Sequence, residues 1–158
     1  MANGNKSKLK IAVYAISKNE AQFVERFCAS AKDADAIFIA DTGSTDDTVE
    51  LAVKHGAIVH NICITPWRFD LARNAALALV PREYDICISL DLDEVMEPGW
   101  REEIERVWQP GITRMEYQFD WGSGIKFLSG KIHSRHGYFW HHPCHCLLYT
   151  SPSPRDRG

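Results

Sequence analysis

No stretch of this chain stays apolar for anything near the roughly 20 residues that a membrane-crossing helix needs, so no membrane span is expected. An excess of one charge is missing too. The 18 basic residues stand against 21 acidic ones, a net charge of -3 that offers no footprint for nucleic acid or an anionic membrane surface. Cysteine is sparse and odd in number, at five. Cys28, Cys63 and Cys87 fall within apolar patterns where a reduced thiol acts as a small hydrophobe, so no disulfide framework is implied. Met1 to Lys10 is polar without a signal-peptide apolar region, which points to a cytoplasmic protein. Neither a G-x-x-x-x-G-K-[ST] loop nor a G-x-G-x-x-G is present, so both the P-loop and the dinucleotide fingerprint are excluded as grips on phosphate.

What remains is a chain of 158 residues, 45% hydrophobic, long enough for one core and too short for two domains. Residues 1–8 read as a disordered lead and 9–145 as the domain. Residues 146–158 read as a non-native or disordered tail, resembling translated sequencing-adapter read-through and set aside from function. Apolar runs at Leu9–Ile16, Ala36–Ala40, Ala57–Ile64 and Asp85–Leu90 predict strands. Helical patterns separate them at Asn19–Ala31, Asp46–His55 and Phe69–Leu79, the second opened by a Ser44/Asp47 capping box. Strands that are continuously apolar and alternate with helices predict an α/β fold, a mostly parallel Rossmann-like sheet with helices on both faces. Pro98 then opens a helix to about Trp108, and Ile112–Trp121 and Ile125–Ser134 predict a late antiparallel excursion.

The fourth strand ends in Asp91-Leu92-Asp93-Glu94. In an extended strand Asp91 and Asp93 project the same way and can share one hard cation, Mn2+ or Mg2+, which prefers oxygen ligands and the phosphates of a substrate. Ligands of an open parallel sheet sit outside the carboxyl ends of its strands. Two further polar clusters are expected on that edge: Ser17-Lys18-Asn19-Glu20 after the first strand and Asp41 to Ser44 after the second. Asp41 can accept a hydrogen bond from a nucleobase, and Arg73, near the start of the third helix, can reach a diphosphate. Asp47 is read as a helix cap. Among the late histidines and cysteines, Cys144-His145-Cys146 lacks the spacers of a structural zinc knuckle, and one histidine completing the carboxylate-bound metal is preferred. Trp121 and Trp140 are read as core aromatics before sugar platforms.

Four segments, Ser17-Lys18-Asn19-Glu20, Asp41-Thr42-Gly43-Ser44-Thr45-Asp46, Phe69-Asp70-Leu71-Ala72-Arg73-Asn74 and Asp91-Leu92-Asp93, together resemble the family 2 glycosyltransferases of the GT-A fold over roughly Lys10 to His145. The resemblance implies inverting transfer from a nucleotide-sugar donor, most often a UDP sugar, to a polysaccharide, lipopolysaccharide or protein acceptor. It further implies donor contacts from Ser17, Asn19, Glu20, Asp41, Ser44, Arg73 and Asp91, with a divalent cation on Asp91, Asp93 and His145. The general base is expected among the later acids, with Asp120 named ahead of Glu116. Cys146 departs from the pattern, standing where similar sequences often carry an acid. The expectation is therefore a fragment that keeps the donor half. Two rivals are a sugar nucleotidyltransferase, which wants a Gly-rich loop that Ser17-Lys18-Asn19-Glu20 does not supply, and an inactive nucleotide-sugar-binding module.

Overall fold

The computed structural model describes residues 9–120, 126–141 and 147–150. Four strands, β1 (Ile11–Ser17), β2 (Ala36–Asp41), β3 (Ile58–Asn61) and β4 (Ile86–Ser89), alternate with helices α1 (Ala21–Ser30), α2 (Thr48–Lys54) and α3 (Phe69–Ala78). Helix α4 (Trp100–Val107) leads to β5 (Arg114–Asp120), β6 (Lys126–Ser134), β7 (Tyr138–His141) and β8 (Leu147–Thr150). The main sheet has the order β3-β2-β1-β4-β6-β5. Pairing is parallel among its first four members and antiparallel at β4-β6 and β5-β6, which is the late excursion expected from the sequence.

Strand periodicity sorts the core into two layers. Ile11, Val13 and Ala15 of β1 pack with Val24, Phe27, Ala52, Trp100 and Ile104, from α1, α2 and α4. Ala12 and Tyr14, pointing the other way, pack with Ala76 and Leu77 of α3. Helices therefore cover both faces, and a central strand buried on both sides has to be apolar at every position. Filling the sheet–helix gap with Phe27, fully buried, contributes about 2–3 kcal/mol.

Several boundaries differ from the sequence expectation for local reasons. Asn19 takes φ 51°, a left-handed conformation that asparagine tolerates, so α1 starts only at Ala21. The third strand stops at Asn61, which leaves Cys63 exposed and not in an apolar interior, while Cys28 and Cys87 are buried as expected. Helix α4 begins behind Gly99, at φ 84°. The Ser44/Asp47 capping box does not form. Asp47 holds the N-cap position of α2 without a side-chain cap, and Asp46 takes the role by accepting the Thr48 N–H at 3.0 Å. Leu147–Thr150 pairs antiparallel with β7 in a second, two-stranded sheet, so backbone pairing runs past the tail boundary set at residue 146. Among the described residues no helix is long and apolar enough to cross a membrane.

Candidate functional site

Strand order reverses at β1, whose neighbours are β2 on one side and β4 on the other. The carboxyl ends of these three strands deliver Ser17, Asp41 and the segment after Ser89 to one edge. That last segment is a turn and does not continue the strand. The Glu94 N–H donates to the Asp91 carbonyl at 2.9 Å, and the Asp91 N–H donates to Glu94 Oε1 at 2.8 Å, while Leu92 is fully buried between them. The alternation invoked to bring Asp91 and Asp93 together therefore does not operate; the turn gathers the acids. Glu94 latches it.

Asp41 is buried and saturated. Ser17 Oγ and Ser44 Oγ donate to its Oδ1 at 2.7 and 2.6 Å, and the Gly43 and Ser44 N–H groups donate to its Oδ2 at 3.1 and 2.8 Å. Burial drives the carboxyl upward, but these four donors outweigh it and hold the group below the ordinary carboxylate range. As placed, Asp41 has no acceptor position left for a nucleobase, and it acts through the loop that it holds. Gly43, at φ 113°, lets that loop turn back. Asn19 locks it from the other side: its N–H donates to Ser44 Oγ at 2.8 Å, and its Oδ1 accepts the Thr45 N–H at 2.7 Å.

Around the acidic turn the charges alternate. Arg73 Nη1 lies 3.1 Å from Asp91 Oδ1, and Lys131 Nζ lies 3.1 Å from Glu94 Oε1 and 3.7 Å from Asp91 Oδ2. Arg73 sits one turn inside α3. Its guanidinium rests over the Trp140 ring at 5.3 Å. Asp93 is exposed, and its carbonyl accepts from Arg26 Nη2 at 2.9 Å. Glu20 completes the field: burial first, then the negative charges of Asp93, Asp91 and Asp46, raises its carboxyl above the ordinary range. Burial likewise raises Glu94, against the pull of Lys131.

Behind Arg73 lies a buried relay. Trp140 Nε1 donates to Tyr14 Oη at 2.8 Å, Tyr14 Oη and His133 Nε2 are 2.9 Å apart, and His133 Nδ1 is 2.7 Å from the Ser134 carbonyl. An indole N–H only donates and a carbonyl only accepts, so His133 is neutral with its proton on Nδ1. Burial agrees, pulling His133 down to about 4 and Tyr14 up. Asn74 clamps the same strand, donating to the Trp140 carbonyl at 2.9 Å and accepting its N–H at 2.7 Å. Trp140 is a core residue, as expected.

Beside β1 opens a cleft of about 560 Å³ bounded by Ser17, Lys18, Glu20, Thr42, Trp67 and Phe69. Trp67 and Phe69, both exposed, meet edge to face at 5.2 Å. The sequence reading missed Trp67 and the use of Phe69 as a wall, although an aromatic pair straddling the start of a helix was the signal for them. It missed Lys131 as well, which became a site residue only through strand register.

Asp91 and Asp93, carboxylates gathered on one turn at the sheet edge, suit a hard cation completed by phosphate oxygens and water. They do not make an all-protein cage: among the described residues no group of three His, Cys, Asp or Glu side chains can hold a metal. His133 and His136 are committed to Tyr14 and to the Arg82 carbonyl. His145, Trp121, Cys144 and Cys146 lie outside the described residues. Asp120 is placed by register alone, paired with Lys126 at the carboxyl end of β5.

The chain matches glycosyl transferase family 2 over residues 13–112. It is 31% identical over 100 residues to an uncharacterized glycosyltransferase of Rickettsia bellii, covering 63% of this chain and 33% of that one. The corresponding protein of Rickettsia conorii is 33% identical over 101 residues, covering 63% and 34%. The chain thus spans about a third of the length of these relatives. Among solved structures it is similar to glucosyl-3-phosphoglycerate synthase from Mycobacterium tuberculosis in complex with Mn2+, UDP-glucose and phosphoglyceric acid. That likeness has a TM-score of 0.64 and 22% identity, and it covers 82% of this chain and 58% of the other. The same enzyme with Mg2+ and UDP aligns at a TM-score of 0.55 and 25% identity, covering 69% and 43%. With a mostly parallel sheet that turns antiparallel, an acidic turn at the strand-order reversal and a match over well over half of its residues, this chain belongs to glycosyl transferase family 2.

Proposed function

We propose that this chain carries the donor half of an inverting, metal-dependent glycosyltransferase, which moves a sugar from a nucleoside diphosphate, most simply UDP, to a polysaccharide, lipopolysaccharide or protein acceptor in the cytoplasm. One observation carries this reading: the Asp91–Glu94 turn, Arg73 and the Ser17–Glu20 loop converge at the carboxyl edge where strand order reverses. The base and ribose occupy the cleft between the Asp41-held loop and the Trp67–Phe69 wall. Arg73 contacts the diphosphate while its stacking on Trp140 keeps it oriented. Asp91 and Asp93 would hold Mn2+ or Mg2+, with His145 a proposed third ligand. A cation there supplies Lewis-acid stabilisation of the leaving diphosphate, worth several kcal/mol in typical sites.

The acceptor hydroxyl needs a base on the opposite side of the sugar, and Asp120 is proposed for it. Register places Asp120 opposite Lys126, five residues or roughly 17 Å of strand beyond Lys131, so the role requires the β5–β6 pair to curl over the edge. Calorimetric titration tests the donor half. UDP with manganese should bind the wild-type chain and lose at least tenfold in affinity in Asp93→Ala. No heat with manganese present, or unchanged binding in Asp93→Ala, would overturn the reading. Release of free sugar from UDP-glucose above the buffer level separates an enzyme from a binding module.

A further inference from the structure

Lys131 is the one cation that strand β6 brings to the acidic turn among the described residues, and nothing in the proposed donor chemistry accounts for it. Its ammonium reaches Glu94 Oε1 at 3.1 Å and Asp91 Oδ2 at 3.7 Å, and it is three-quarters buried. Arg73 holds the other oxygen of Asp91. The carboxylate named as a metal ligand is thus faced on both oxygens by fixed positive charge from two different elements, α3 and β6. Glu94 shares Lys131 and latches the turn, so the ammonium is anchored by the backbone geometry of Asp91 itself.

Resting on the donor-site reading, we propose that Lys131 is a resident counter-ion that closes the acidic turn to a free divalent cation and opens it to a cation arriving with a nucleoside diphosphate. Electrostatics gives the mechanism. A bare divalent ion must displace or crowd an ammonium already paired with two carboxylates, whereas a diphosphate brings negative charge that compensates both cations. The ammonium then balances phosphate where it had balanced Asp91. Manganese affinity and nucleotide affinity are therefore coupled, and the coupling is reciprocal.

Manganese binding is measured directly, by the loss of the free-ion electron paramagnetic resonance signal, on wild-type protein, Lys131→Met and Lys131→Arg, each with and without UDP. Lys131→Met should bind manganese alone on the order of tenfold more tightly than wild type, the effect of removing one nearby unit charge from a divalent ion in a water-like medium. The gain in manganese affinity produced by UDP should shrink in the same variant. Lys131→Arg, which keeps the charge, should behave as wild type. Equal manganese affinity in wild type and Lys131→Met, with UDP and manganese together still bound, overturns the role of Lys131 and spares the donor site. Failure of wild type to bind manganese with UDP overturns both. Thermal melts accompany each variant, and Lys131→Gln replaces Lys131→Met if the latter loses its cooperative transition.

Discussion

Individual side chains in this molecule are mostly committed to one another, and their commitments are testable. Asp41 accepts four donors, so Asp41→Asn keeps one oxygen for the Gly43 and Ser44 N–H groups, which only donate, and sets an amide N–H2 against the Ser17 and Ser44 hydroxyls, which must give up their own donation to accept it. We expect a loss of about 2–4 kcal/mol in urea denaturation, larger than a typical surface change. His133 makes a prediction about acid. Its folded-state value near 4 lies below the unfolded value of about 6.5, so the unfolded chain binds the proton first. Stability from this group is complete above pH 6.5 and is lost as pH falls toward 4, by about 2 kcal/mol at pH 5. Glu20 and Glu94, both raised, push in the opposite direction, so the effect is read as a difference. His133→Gln keeps an acceptor for Tyr14 without titrating, and its stability gap to wild type should narrow between pH 7.5 and pH 5. A constant gap would refute the assignment.

Elements explain which parts of the site were legible in the sequence. The edge position of Ser17, Asp41 and Asp91 followed from topology, because parallel strands with helical crossovers send every carboxyl end the same way. The role of each residue did not follow. Ser44 and Asn19 looked like ligand contacts or caps, and they are the lock between two loops, since only folding reveals that a residue after β1 finds backbone donors after β2. Lys131 was invisible for a similar reason, as its partners lie across a strand pair that no local pattern encodes. Helix α3 carries the clearest element-scale prediction. Asn74→Ala removes both hydrogen bonds to Trp140 and should cost about 2 kcal/mol. The platform under Arg73 loosens with it, so UDP affinity should fall in calorimetry by more than melting alone explains.

At the scale of the whole molecule, stability is uneven. Strands β1 and β4 sit at the centre of the sheet, almost wholly buried, whereas β3 is an edge with Ile58 exposed, and the β7–β8 sheet has only two strands. Hydrogen exchange should therefore be slowest at Ile11–Ala15 and Ile86–Ile88 and faster by orders of magnitude at Ile58–Asn61 and Leu147–Thr150. Comparable protection across all four segments would mean that the two sheets unfold as one unit. The main sheet was readable because burial on both faces forces a run of apolar residues, and the small sheet was not, because a two-stranded ladder leaves no such trace. Asn74 ties these unequal parts together in a particular way. Its amide presents one acceptor and one donor to Trp140, the same pair that a neighbouring strand would present, so a helix side chain stands in for a missing peptide group. A slip of β7 by one residue would set Phe139 or His141 against that amide and turn Trp140 away from both Tyr14 and Arg73, so a single asparagine acts as the index mark that keeps the second sheet in step with the first.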